Sequence, residues 1–294
     1  MLSLLSSAFT SKTDFSAESR FVSLEDNRTL LTYSVSICFS IYKECISRLQ
    51  RVNNPLKANA KNLFPILKKD GSYSDDLQPW VNGEDSSKLI VLIHGLNSSP
   101  LCWSKYIQKL SECKKSTSYF APYVYKKGYC KLKKASQPIF EVIQKYADQY
   151  PHNPIILVGH SNGARIAQYI ERNLDAKNIT LVSIAGPHLG SKLVNWTTFL
   201  SLNSWLGISD SMANELMYNS EWVKRKLIKW QKNSIEHADR VGKRIFIASA
   251  DDLRIFPNST SFPNLPNSTY LLISGESHVT IVDAVCEKVL KEAL

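Results

Sequence analysis

The 294-residue sequence predicts an α/β protein built on a mostly parallel, doubly wound sheet flanked by helices. Three observations predict it. Leu89–Ile93 and Ile155–Val158 are unbroken apolar runs, the pattern of strands buried on both faces. Stretches of helical period separate such runs along the second two-thirds of the chain. Finally, the residues able to do chemistry fall just beyond predicted strands, where open α/β sheets place their sites: His94-Gly95, Gly159-His160-Ser161-Asn162-Gly163, Asp251-Asp252 and His278.

Taken in order, residues 1–87 read as an N-terminal helical extension and linker, and 88–294 as the main domain. Leu31, Val35, Cys38, Tyr42, Cys45 and Leu49 recur at three and four, giving a helix over 28–50 with one apolar stripe. It packs on the main domain or, alternatively, docks on a membrane or partner. Leu56–Leu67 suggests a shorter helix, and polar Lys69–Ser87 a linker. The first main-domain strand ends at Ile93, and a helix is expected over Pro100–Cys113. A strand over Tyr119–Val124 and a helix over Ala135–Tyr150 lead to the strand before Ser161. The helix after it keeps a small apolar face (Gly163, Ala167, Ile170, Leu174) suited to close packing on a sheet. Further strands are expected at Ile179–Ile184, Arg244–Ala248 and Tyr270–Ser274. A long helical insertion fills about 191–240, and a closing helix covers Thr280–Ala293.

Composition narrows the class. Apolar content of 44% and a formal charge of +10 fit a basic but otherwise ordinary globular enzyme, and secondarily attraction to an anionic surface. Charge is the only support for nucleic-acid binding, so no nucleic-acid partner is expected. The six cysteines lack C-x-x-C spacing, which argues for free thiols and against a zinc site. With no basic n-region before Leu2–Leu5 and no long apolar span, a cytoplasmic location is expected, with peripheral membrane association as an option. Several N-x-S/T sequons occur, as chance allows in a chain rich in asparagine and serine.

The chemistry centres on Ser161 at the apex of a G-x-S-x-G turn. A serine hydroxyl is a weak nucleophile unless exposed, oriented and beside a base, and a strand-turn-helix elbow provides the exposure. Downstream histidines are His188, His237 and His278. His278 follows the last strand, where a base can reach the elbow; His188 reads as structural or pocket-lining, and His237 as solvated. The orienting acid is Asp252, counting from Ser249, with Asp251 as its competitor. Oxyanion donors are expected from the backbone of Asn162 and of Leu96.

Residues 88–294 resemble the α/β-hydrolase superfamily, in its lipase and esterase branch. The carriers are Val91-Leu92-Ile93-His94-Gly95-Leu96, Gly159-His160-Ser161-Asn162-Gly163-Ala164 and Gly186-Pro187-His188-Leu189-Gly190-Ser191. The resemblance implies an α/β-hydrolase fold and a Ser-Asp-His hydrolase needing neither metal nor organic cofactor.

The insertion bears on substrate. It holds four of the six tryptophans (Trp196, Trp205, Trp222, Trp230), Met212 and Met217, and Phe199, Leu202, Leu206 and Ile208. Such a cap would suit an acyl chain or lipid interface, or these residues would only bury the cap on the body. Two basic stretches, Lys114–Lys134 and Lys224–Lys232, are solvated faces or a rim favouring anionic lipid. The expected function is a serine hydrolase cleaving acyl or lipid esters through an acyl-enzyme on Ser161. The alternatives are an acyltransferase or thioesterase with the same residues, or a non-catalytic hydrolase-fold binding protein.

Overall fold

The computed structural model describes residues 80–81, 88–96, 98–112, 117–122, 131–201, 203, 208–237 and 239–293. The helices expected over 28–50 and 56–67 lie outside the described residues.

The elements follow in chain order. Strand β1 is Trp80–Val81 and β2 is Leu89–Ile93. A 3-10 turn, Pro100–Trp103, leads into α1, Ser104–Glu112. Next come β3 (Ser118–Phe120), α2 (Leu132–Gln149), β4 (Ile155–His160), α3 (Asn162–Asn173) and β5 (Ile179–Ile184). The insertion holds α4 (Lys192–Phe199), α5 (Asp210–Leu216) and α6 (Glu221–Glu236). The chain continues with β6 (Val241–Ser249), β7 (Ser268–Ile273), α7 (Ile281–Ala284) and α8 (Cys286–Ala293).

Among the described residues, seven strands form one sheet in the order β1-β3-β2-β4-β5-β6-β7. All pairings are parallel except the antiparallel one that adds β1 to the β3 edge. Strand β1 lies inside the polar stretch read as linker.

The apolar runs are explained by what covers the sheet. Side chains alternate across a strand, so each run feeds two cores. Leu89, Val91, Ile93, Ile155, Leu157 and Leu181 face one side with Ile139 and Ile143 of α2 and Ile166 and Ile170 of α3. Ile90, Leu92, Ile156, Val158, Val182 and Ile184 face the other, against Trp103, Tyr106, Ile281 and Val289. With neither face wet, a polar residue at any of these positions would lose its water without compensation. Helix α3 lies so close that a Cβ on Gly163 would sit 2.1 Å from the Ile93 carbonyl oxygen, so only glycine fits there.

Among its described residues the insertion holds three helices, each started by a serine. The Ser191, Ser209 and Ser220 hydroxyls accept from the N–H groups of Leu193, Met212 and Val223, satisfying donors that have no partner within the helix. Helix α6 is fastened to the body through a buried cluster. Trp230 donates from Nε1 to Glu171 of α3 at 2.7 Å, and Glu171 also pairs with Arg244 of β6. Arg244 in turn donates to Ser234 Oγ at 3.0 Å and to the Pro266 carbonyl at 2.9 Å. Burial pushes the Glu171 carboxyl upward, against the opposing pull of Arg244 and Trp230. For Trp230, then, the aromatic content of the insertion serves to seat it on the body.

Candidate active site

Strand β4 runs directly into α3 through Ser161, whose backbone takes φ 56° and ψ −126°. Positive φ is costly for a side chain with a Cβ, and the surrounding bonds hold it there. Ser161 N–H donates to the Ile184 carbonyl of β5 at 2.9 Å, and its own carbonyl accepts from Ala164 at 3.0 Å.

The loops after β6 and β7 meet at this elbow. His278 Nε2 lies 2.9 Å from Ser161 Oγ, and His278 Nδ1 lies 2.7 Å from Asp252 Oδ2. The other oxygen of Asp252 accepts from the N–H groups of Arg254 and Ile255 at 2.8 and 3.0 Å, which fixes the carboxylate plane. With Asp252 accepting at Nδ1–H, Nε2 is left as the acceptor for the serine proton. All three side chains are buried. The two aspartates separate cleanly: Asp252 faces the imidazole, whereas exposed Asp251 turns away and accepts from Gly275 N–H at 2.6 Å.

The loop after β2 passes beside the serine. A Cβ on Gly95 would come within 2.7 Å of Ser161 Cβ and 3.3 Å of its Oγ, so the main chain of 94–96 approaches as only glycine permits. Leu96 packs on a cap core of Val194, Ile208, Met212, Ala213 and Leu216, so the cap sits on this loop. Asn162 opens α3, where a backbone N–H has no carbonyl one turn back to bond. Its side-chain oxygen accepts from Arg165 at 3.1 Å, and Arg165 reaches the Glu215 carbonyl of α5 at 2.8 Å. Burial draws the Arg165 guanidinium down to about 10, with Glu215 opposing.

The remaining histidines take other places. His188 accepts from Ser183 Oγ at 2.8 Å through Nε2 and donates through Nδ1 to Gln168 at 3.2 Å. Burial, then Arg165, holds it down at about 3, so it is a neutral structural residue. His237 ends α6 and is exposed. His160, which the sequence did not mark beyond its place in the turn, donates from Nε2 to the His278 carbonyl at 2.7 Å. Its ring lies 4.8 Å from the His278 ring. Its neighbourhood to Ser161 was the available signal. Arg165 had none, since its partner Glu215 lies fifty residues on. Among the described residues, no group of three His, Cys, Asp or Glu side chains could hold a metal ion, and no helix is long and apolar enough to cross a membrane.

Residues 83–257 match the family described as "Putative serine esterase (DUF676)". The chain belongs to this serine esterase family. The matched stretch contains Ser161, Asp251 and Asp252 and stops short of His278. No curated protein sequence matches the chain significantly. Among solved structures, the mature form of the Bacillus licheniformis lipase BlEst2 is similar, with a TM-score of 0.54 at 15% identity, over 73% of this chain and 95% of that one. Its propeptide form gives a TM-score of 0.51 at 16% identity, over 71% of this chain and 52% of that one. At such identity the likeness is one of fold, and the fold of this serine esterase family member is the α/β-hydrolase fold.

Proposed function

We propose that this serine esterase cleaves carboxylic esters with apolar acyl groups through an acyl-enzyme on Ser161. Ser161 Oγ attacks the acyl carbon while its proton passes to His278 Nε2, and Asp252 stabilises the imidazolium that forms. The carbonyl oxygen becomes an oxyanion held by the N–H groups of Leu96 and Asn162. The ester C–O bond then breaks, His278 returns its proton to the departing alkoxide, and the acyl group stays on Ser161. Water enters, gives a proton to His278, and its oxygen forms the new bond to the acyl carbon. The Ser161 C–O bond breaks, Oγ recovers its proton, and the carboxylic acid leaves.

The observation that carries this reading is the continuous chain of contacts from Asp252 through His278 to Ser161, at 2.7 and 2.9 Å. The cap supports an apolar substrate: Trp196 and Phe199 of α4 and Leu200 at its C-cap are 54%, 80% and 56% exposed, with Lys192 exposed on the same helix. That stripe, with the exposed cations of α6, suits an ester presented at an anionic lipid surface; vesicle binding indifferent to salt would count against the role of charge.

The test is hydrolysis of p-nitrophenyl esters from acetate to palmitate, with fluorophosphonate labelling, in wild type and Ser161→Ala. The expected result is labelled wild-type protein, a preference for longer chains, and at least about a thousandfold lower kcat in the variant. Equal activity in the variant, or a folded wild type that resists labelling, would overturn the reading.

A further inference from the structure

The pair Asp251-Asp252 has a division of labour. We propose that Asp251 is a positioning residue that holds the backbone carrying His278, while Asp252 orients its ring; this rests on the proposed role of His278.

The acid-bearing and base-bearing loops leave the ends of adjacent parallel strands, β6 and β7. Three hydrogen bonds connect them before the side chains of Asp252 and His278 meet. Ala250 N–H donates to the Ile273 carbonyl at 2.8 Å, and Ser249 Oγ donates to the Glu276 carbonyl at 2.5 Å. Asp251 Oδ2 accepts from Gly275 N–H at 2.6 Å. Ser249 Oγ also accepts from Asp251 N–H at 3.1 Å, so the clamp is braced within the acid loop. Gly275 has φ +82°, a turn that redirects the chain three residues before His278. Beyond it, Ser277 and Thr280 bond reciprocally, at 2.8 Å for Ser277 N–H to Thr280 Oγ1 and 3.3 Å for Thr280 N–H to Ser277 Oγ. His160 fixes the His278 carbonyl at 2.7 Å. The segment 275–278 is thus tied at successive residues, and Asp251 supplies the first tie.

An exposed carboxylate capping a turn is often worth little, because water competes for the same N–H. Here the bond sets where a histidine nitrogen sits, and a displacement of about 1 Å at such an atom can cost up to a hundredfold in rate. Its contribution should therefore appear in turnover more than in stability. Since the family match ends at residue 257, the acid loop carries this clamp to a partner loop outside the matched stretch.

The experiment compares wild type, Asp251→Ala and Asp251→Asn in full-length protein. The readouts are kcat and KM on a short p-nitrophenyl ester, the rate of fluorophosphonate labelling, and amide exchange at Gly275. Asparagine keeps an oxygen acceptor and removes the charge. The expected result is about a tenfold loss of kcat in Asp251→Ala with KM unchanged, slower labelling, and faster exchange at Gly275. Asp251→Asn should restore all three most of the way. Wild-type kcat in Asp251→Ala would overturn the proposal, as would equal impairment of both variants. Wild-type protein that resists labelling would instead fell the reading of the site itself, and this proposal with it.

Discussion

Helices α6 and α4 belong to one insertion and both carry tryptophan, yet they use it in opposite ways. Trp230 of α6 is enclosed, edge-on to Phe246 at 6.0 Å and beside His188 at 5.2 Å, with its N–H spent on Glu171. Trp196 of α4 stands in solvent with Phe199 and Leu200, while Val194 and Thr197 on the other side of the same helix are buried. Aromatic content alone therefore says little about a cap. What distinguishes the two is polar partnership: a buried aromatic node carries hydrogen-bonded charges with it, and a surface stripe does not.

The contrast can be broken at the node first. Glu171→Ala leaves the Arg244 guanidinium buried without its carboxylate, and should cost about 3–5 kcal/mol in urea unfolding at pH 7. A loss below about 1 kcal/mol would mean that α6 is not fastened there. A smaller effect comes from acid. His188 is held at about 3 in the folded protein, against about 6.5 unfolded, so the unfolded chain binds the extra proton between those values. Stability is then fully present above pH 6.5 and falls as pH drops toward 3, by about 2 kcal/mol between pH 7 and 5. His188→Asn should flatten that part of the urea-unfolding profile, and an unchanged slope would assign it to other groups. The smallest effect on stability is expected on α4. Phe199→Ser should shift the unfolding free energy by no more than about 0.5 kcal/mol. If the stripe meets an ester interface, the same change should weaken apparent affinity for emulsified long-chain esters about tenfold and spare short soluble ones.

Much of the sheet and the elbow was legible because both rest on local chemistry. Double-sided burial makes Leu89–Ile93 and Ile155–Val158 apolar throughout, and the turn at Ser161 needs glycines within a few residues. His278 and Asp252 were reachable from their position after strands. Counting from Ser249 favoured Asp252 but left Asp251 as a competitor, since both follow β6; the contact that separates them, Asp252 facing His278, is made only in the fold. Strand β1 was missed because two residues carry no period, and its pairing with β3 is a tertiary event. The insertion was expected to be helical but without internal boundaries, although Ser191, Ser209 and Ser220 mark the helix starts among its described residues. The Glu171–Arg244 node left no pattern, because its members lie seventy-three residues apart.

Among the described residues the sheet ends at β7, which pairs with β6 alone and leaves Tyr270 and Leu272 partly in solvent. His278 hangs from that outermost strand, whereas Ser161 sits deep between β4 and α3. Peripheral strands with a single neighbour detach at lower free energy than the centre of a sheet. The contact between His278 and Ser161 therefore joins a margin of the sheet to its centre, and its geometry depends on how firmly β7 and the loop beyond it are held.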